Sequence, residues 1–576
     1  MSSFRASVIV SLAVLVLARL ARGEPDLGVT LRVSAGPAVH VSLVFRGGAD
    51  GRTELNMQPN FAGVPNDGSA ILDLRVTGAG GAERRVERRG PVTWSVGHEP
   101  AEALVVAYRL DASGAEGGVG TSPNDYRTRL TPELFQMHGE HGLLMPAGMT
   151  GPEPRRFRVS WEGLGALGWG AMCSFGPGEG PFETEMSGAK FLHSVFMAGT
   201  IRARVRTLHG NRVGFAFTGT GWGFEDDALI DAAMVIIGAQ RDFFGDHSDP
   251  WFLVTLTPSG SARGGSFALG GTGVTNAFSM YANTGLSLEP DQPFRSRLLQ
   301  LLSHEYFHTW NGGKLDSSSE EGTGYWFSEG FTNFYTRRML KRAGLFTDEE
   351  VLQSLNEAVA GYMSNPERNA PAARVKEAFW SDPNVGMLPY QRGDMVALAL
   401  DEHLRAKSGG ARSLDDFMRD LVARAGRGEA FSVEWALRAV EREAGAEFAG
   451  VVRAAVVEGA DVPLPETLSD PAARLTRVQQ RNFEPGFDLE AAQREKVIRG
   501  VREGGPAWRA GLRDGQTLRG MNVNSGGPGS PPSAEVTIDE NGRARAIRFE
   551  PLSEPRSVPV YVRRSRGAGG AEDGAG

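Results

Sequence analysis

Two histidines four residues apart, His304 and His308, with Glu305 between them and Glu329 downstream, could hold a divalent metal and handle protons beside it. On a helix, positions i and i+4 share one face a turn apart, so both imidazoles can converge on a single ion. Glu305 sits one position along, rotated off the ligand direction but able to reach a metal-bound water. Three protein ligands, His304, His308 and Glu329, leave the fourth position of a tetrahedral zinc open. That marks a catalytic site rather than a structural one.

The elements that must position these groups are legible around them. Phe294 to Leu302 places apolar residues at helical spacing, and Asn311-Gly312-Gly313 after Trp310 is a helix stop. A second helical stretch runs from about Tyr325 to Arg342 and closes at Gly344, carrying Glu329 near its start. The expected layout is two histidines on one helix and a carboxylate ligand on the next, holding one Zn²⁺ per chain. Glu305 would be the general base, taking a proton from the attacking water and passing it to the departing amine.

Three segments carry a family resemblance. His304-Glu305-Tyr306-Phe307-His308-Thr309-Trp310-Asn311 and Trp326-Phe327-Ser328-Glu329-Gly330-Phe331-Thr332 resemble the zinc motifs of the glycyl aminopeptidase family. That family belongs to the thermolysin-like metallopeptidases (gluzincins) and is related to the aminopeptidase N type. Tyr390-Gln391-Arg392-Gly393 resembles the Y-x-[KR]-G segment in which such enzymes keep a catalytic tyrosine, and Ser408 to Met418 continues the likeness. The resemblance implies a peptidase acting on peptide substrates, with Tyr390 donating a hydrogen bond to the developing oxyanion. It also implies a substrate-binding strand before the zinc helix, with Gly273, Thr275 and Asn276 as the matching positions.

This chain departs from the family pattern at that strand. Aminopeptidases of this type use a glutamate in G-x-[LM]-E-[HN] to pair with the substrate's free α-amino group, and here Thr275 occupies the acidic position. A neutral hydroxyl cannot supply that charge-assisted bond. Either another acid takes the role, with Glu320 and Glu321 as loop candidates, or internal and blocked peptides are accepted. The strand could pair with an extended peptide through its backbone in both cases. Gly312-Gly313-Lys314-Leu315 replaces a more basic stretch, and Pro389 precedes Tyr390 where an aromatic is frequent; neither touches the ligands.

The chain has 576 residues, more than one compact core accommodates, and its 41% hydrophobic and 23% charged composition is that of a globular protein. A net charge of -8 without a basic stretch argues against a nucleic-acid partner. Residues 1–23 read as a secretory signal, with Arg5, an apolar run from Ala6 to Ala18 and small residues near Gly23; an uncleaved anchor is the alternative. Export to the periplasm or secretion is expected, with no membrane span after signal cleavage. Cys173 is the only cysteine, which excludes an intramolecular disulfide, and it reads as an ordinary half-buried residue.

The expected fold is multidomain α+β. Residues 24–224, with short runs separated by Gly, Pro, Asn and Asp, predict an N-terminal antiparallel β domain. Within it, His138-Gly139-Glu140-His141 carries ligand types, but a Gly-containing loop gives no reason for convergence. Residues 225–465 predict a thermolysin-like, mainly helical catalytic domain, opening on an amphipathic helix from Asp226 to Phe244. Residues 475–565 resemble a PDZ domain through Gly505-Pro506-Ala507-Trp508-Arg509-Ala510-Gly511-Leu512-Arg513-Asp514-Gly515, which implies a peptide ligand there. Residues 566–576 are expected to be a disordered tail. Two competing functions stay open: an endopeptidase of the same fold, and a weakly catalytic or inactive peptide-binding PDZ protein.

Overall fold

The computed structural model describes residues 25–34, 38–61, 64–111, 126–259, 268–290, 292, 294–316, 320, 322–526 and 531–564. The signal and tail segments and Glu321 lie outside them. The fold is multidomain α+β. The N-terminal part is built on a seven-stranded sheet with smaller sheets packed against it. Its strands alternate as the sequence does: Leu27, Val29, Leu31 and Val33 point into a core with Val39, Val41, Leu43 and Phe45, while the residues between them are half-buried or, at His40, exposed.

One pairing differs from the antiparallel expectation. Leu27–Ser34 pairs with Pro154–Glu162 in parallel, Leu27 opposite Phe157 and Leu31 opposite Trp161. A parallel pair needs a long crossover rather than a hairpin. The more than one hundred intervening residues supply it, a relation between distant segments that local turn signals do not carry.

The sheet beside the two-histidine helix begins before residue 225. Strands β1 (Arg202–Leu208) and β2 (Asn211–Phe217) form a hairpin that joins β3 (Trp251–Pro258), β4 (Leu269–Val274) and β5 (Ala277–Ala282) in one sheet, ordered β1-β2-β3-β5-β4. This leaves β4 at the edge. Helix α1 (Asp226–Phe244) covers the sheet through Leu229, Ile230, Ala233, Ile236 and Ile237. Helix α2 (Arg295–Phe307) carries the two-histidine motif and adds Leu298, Leu299, Leu302 and Tyr306 to the same core. Buried partners also fix α2 to α1: Gln240 donates to the Ser303 carbonyl at 2.8 Å, and Arg241 Nε to the Tyr306 hydroxyl at 2.7 Å.

Helices α3 (Thr332–Arg342), α4 (Asp348–Ser364) and α5 (Pro383–Ser408) enclose the other side in a second core. Helix α4 opens on a reciprocal Thr347–Glu350 capping box. Helix α5 starts at the Asp382 side chain, which accepts from the Asn384 amide at 2.9 Å, with Pro383 at its first position. Further along, Ala472–Gln480 and Arg556–Arg563 pair and contribute Ala473 and Tyr561 to the helical core. Residues between them keep a core of their own, with Phe487, Ile498, Ala507, Leu512, Val536 and Ile538. Among the described residues, no helix is long and apolar enough to cross a membrane.

The N-terminal part meets the β1–β5 sheet through an apolar cluster and a buried polar one. Leu134, Met172, Val195 and Met197 pack on Ala216, Trp251, Leu253, Val274 and Ala277. Gln136 donates to Ser279 Oγ and the Tyr281 hydroxyl, each at 3.1 Å, and accepts from Thr257 at 2.7 Å. A buried amide satisfied by three hydroxyls specifies one docking arrangement, because slippage would strand every member. Cys173 is fully buried beside this contact, not half-buried as its turn-rich neighbourhood suggests, and burial pushes its thiol up to about 12.

Candidate metal centre and peptide cleft

Two distorted helical turns bring the ligands together. After His308 the chain widens into a π-type turn over Thr309–Lys314, where Gly312 takes φ +126. Glu329 lies in a second such turn, Trp326–Phe331, which runs directly into α3. Single wide turns of this kind re-aim side chains that a regular helix would point elsewhere. Asn311 clips the two turns to each other. Its side-chain amide donates to the Phe327 carbonyl at 2.9 Å, the Ser328 carbonyl at 3.1 Å and Thr332 Oγ1 at 3.1 Å.

The three donor atoms then meet. His304 Nε2 lies 3.2 Å from Glu329 Oε2, His308 Nε2 lies 3.4 Å from the same oxygen, and the two Nε2 atoms are 3.1 Å apart. Their opposite ring nitrogens are spoken for: His304 Nδ1 faces Asn333 Oδ1 at 2.9 Å and His308 Nδ1 faces the Asn311 carbonyl at 2.8 Å. With Nδ1–H donating outward, both Nε2 lone pairs point at the carboxylate.

Lone pairs so close require positive charge at their centre. Burial alone would lower His308, yet the Glu329 carboxylate outweighs it and lifts the imidazole to about 9. Burial would likewise raise Glu329, but His308 and His304 drive it well below the usual carboxylate range. A tetrahedral zinc with bonds of about 2.05 Å has edges of about 3.3 Å. The observed separations match that figure, and two nitrogens with one oxygen suit zinc. The donor set fits the ion.

Glu305 and Tyr390 flank the ligands. Glu305 Oε2 accepts from the Gly273 amide of edge strand β4 at 3.0 Å, so the carboxylate stands between the ligand helix and the strand. Tyr390 lies seven residues inside α5, with its ring 6.1 Å from that of His304 at a shallow 22°. Burial, then the charges of Glu329 and Glu305, push its phenol far above its ordinary value, so it keeps its proton and can donate. A glycine pair permits this approach. A Cβ on Gly330 would meet Gly393 Cα at 2.3 Å, and one on Gly393 would meet the Trp326 carbonyl oxygen at 1.8 Å. One turn on, the buried Arg337–Asp394 ion pair ties α3 to α5, with Nη1 to Oδ2 at 2.8 Å.

The positions expected to bind substrate lie where β4 turns into β5. Thr275 and Asn276 form the turn, Asn276 at φ +52, and Gly273 precedes it. The Thr275 hydroxyl donates to the Lys190 carbonyl at 2.7 Å, and its amide to the His193 carbonyl at 2.6 Å. Of the two loop acids, Glu320 accepts from Thr323 at 3.2 Å.

Sequence reasoning missed the groups behind this strand. His193 Nδ1 pairs with Glu140 Oε1 at 2.7 Å, and the Tyr126 hydroxyl donates to the Gly271 carbonyl at 3.1 Å. Burial would lower His193, but Glu140, helped by the Gly273 backbone, raises it. His138 and His141 pack with His193 around the Phe61 ring, and burial lowers each of the two to about 4. The Glu140 side chain is buried and its Oε2 has no protein partner. The signal was the density of ligand types in His138-Gly139-Glu140-His141; what was hidden is the contribution of His193, more than fifty residues on.

Comparison with known proteins bears on these elements. Residues 297–382 match the sequence model of the M61 glycyl aminopeptidase family. No curated protein matches the chain in sequence. The fold is similar to the crystal structure of an aminopeptidase N family protein from Idiomarina loihiensis, at 15% identity and a TM-score of 0.69, covering 93% of this chain and 98% of that one. It is similar also to an M1 zinc metallopeptidase from Deinococcus radiodurans, at 18% identity and a TM-score of 0.50, covering 77% of this chain and 95% of that one. The family match falls on both ligand elements, and the fold around them is similar to that of an aminopeptidase N family protein.

Proposed function

We propose that this protein is an exported, zinc-dependent metallopeptidase that hydrolyses peptides in an aminopeptidase-like manner. The observation that carries the reading is the convergence of His304, His308 and Glu329 with Glu305 standing between them and an edge strand. Zinc held by those three residues supplies Lewis-acid polarisation of the scissile carbonyl and a water acidified toward a pKa of about 7.

The chain's own residues do the rest. An extended peptide docks along β4, the edge strand of the sheet. Glu305 takes a proton from the attacking water as its oxygen bonds to the carbonyl carbon. It returns that proton to the nitrogen as the C–N bond breaks. Tyr390 donates to the carbonyl oxygen as negative charge gathers there. Asn333 and the Asn311 carbonyl hold the imidazoles in the tautomer that presents Nε2.

Recognition of a free amino terminus needs an acid that Thr275 does not provide. On this reading Glu140 takes that part, being buried behind the strand with one oxygen on His193 and the other without a protein partner. Residues 475–565 are read as a PDZ-like peptide-binding domain on the strength of the Pro506 to Gly515 motif, and residues 1–23 as the export signal.

The test compares hydrolysis of matched free and N-acetylated peptides by mass spectrometry, with Glu305→Gln as control. Cleavage of the free forms alone, abolished in Glu305→Gln with zinc retained, is the expected result. Equal cleavage of both forms establishes an endopeptidase. Undiminished turnover by Glu305→Gln rejects the base and the mechanism with it.

A further inference from the structure

A second group of donors lies away from the cleft, where the β1–β2 hairpin meets the end of α1. His209 Nε2 stands 3.5 Å from Asp242 Oδ1, and His247 Nε2 stands 3.7 Å from the same oxygen. The two imidazole rings are 4.5 Å apart, and the donor atoms of all three residues lie within 4.8 Å of one another. We infer that His209, Asp242 and His247 form a second binding site for a zinc-class divalent ion, independent of the catalytic one.

The separations point to an ion rather than to hydrogen bonds. An N–H···O bond draws its atoms to about 2.7–3.2 Å, and neither contact reaches that range. Both lie somewhat beyond the edge of about 3.3 Å expected when two nitrogens and an oxygen share a tetrahedral zinc, so binding would draw the three donors slightly inward. The catalytic donors, at 3.1–3.4 Å, set the standard within the same molecule.

The local sequence runs against its own preferences at two of these positions. His209 and Gly210 form the two-residue turn of the hairpin, with φ +50 and +82 and Leu208 opposite Asn211. That turn favours Asn-Gly or Asp-Gly, yet a histidine occupies the first position. Asp242 lies in the last turn of α1, where the helix dipole disfavours an anion. Both choices become favourable together when a cation sits between them. His247 completes the group from the next loop, which the Asn211 amide pins by donating to the His247 carbonyl at 2.5 Å. Two imidazoles select a borderline transition ion such as zinc over calcium or magnesium, which take oxygen ligands.

Such an ion would staple the hairpin turn to the end of α1, the helix whose Gln240 and Arg241 brace the catalytic helix. The experiment is calorimetric zinc titration of the full chain after chelation. Wild type should take up two equivalents. His209→Asn/His247→Gln, which keeps a favourable turn, should take up one and retain peptidase activity. Asp242→Asn should weaken that same equivalent at least tenfold. His304→Ala/His308→Ala should lose the other equivalent together with activity. If the catalytic reading alone fails, the His304/His308 variant leaves uptake unchanged while the His209/His247 variant still loses one equivalent. Wild-type uptake of a single equivalent that survives in His209→Asn/His247→Gln overturns the second site, as does unchanged uptake in that variant.

Discussion

The two donor groups of this protein use the same chemistry in opposite surroundings. In each, two imidazoles and one carboxylate oxygen converge. At the proposed catalytic group the side chains are only 12%, 20% and 16% exposed, for His304, His308 and Glu329. At the hairpin group His209 is 48%, Asp242 63% and His247 35% exposed. The first is braced on both rings, by Asn333 and by the Asn311 carbonyl, and flanked by Glu305 and Tyr390. In the second, the His247 Nδ1 atom is buried with no protein partner. Donor atoms alone can hold an ion. A base, an oxyanion donor and an excluded-water setting are what convert an ion site into a reaction centre.

Removing a flank should affect only the first group. Tyr390→Phe is expected to lower kcat about 10²–10³-fold with little change in KM and full zinc content, read by steady-state kinetics and metal analysis. A fall in zinc content instead would make Tyr390 a structural support. Loosening a brace is the next largest effect. Asn333→Ala should weaken the catalytic zinc about 10–100-fold in competition with a chelator while leaving the hairpin equivalent untouched. Equal weakening of both would merge the two sites into one system.

The smallest effect concerns the segment that lies between the groups. Asp246 adjoins His247 and accepts from Trp310 Nε1 at 2.8 Å and Ser248 Oγ at 2.7 Å, and it pairs with Lys314. Burial would raise its carboxyl, but Lys314, Ser248 and Trp310 hold it far below the usual range. A carboxylate depressed in the folded state stabilises above its unfolded pKa, and that stability is lost as pH falls toward the folded value. Asp246→Asn should therefore cost about 1–3 kcal/mol in denaturant unfolding at neutral pH. The difference should shrink as pH drops below about 4. A constant difference across that window would assign the loss to packing.

How much of this was legible in the sequence follows from how local each feature is. The i,i+4 histidines and Glu305 between them were readable because helical periodicity alone sets their facing, and Glu329 because its segment resembles a zinc motif. Helix α1 was readable over Asp226–Phe244 because its apolar spacing is strong and Gly245 stops it. The wide turns that follow His308 and carry Glu329 were not, since the Asn311 side chain links them by reaching Phe327 and Ser328 across a loop. The Gly330–Gly393 approach pairs residues from separate helices, and neither glycine announces its partner. Thr275 was legible as a missing acid, but its bond to the Lys190 carbonyl depends on the N-terminal part docking against β4. The hairpin group was invisible for the same reason: its donors come from a turn, a helix end and a loop. The parallel pairing of the first strand with Pro154–Glu162 is likewise a fact of the folded chain.

The most direct measurement is diffraction from crystals of the zinc-loaded full chain, collected on both sides of the zinc absorption edge. The account predicts an anomalous peak about 2.0–2.2 Å from His304 Nε2, His308 Nε2 and a Glu329 oxygen, with Glu305 beside it but outside bonding distance. Active, zinc-loaded protein with no peak between those three residues would contradict it.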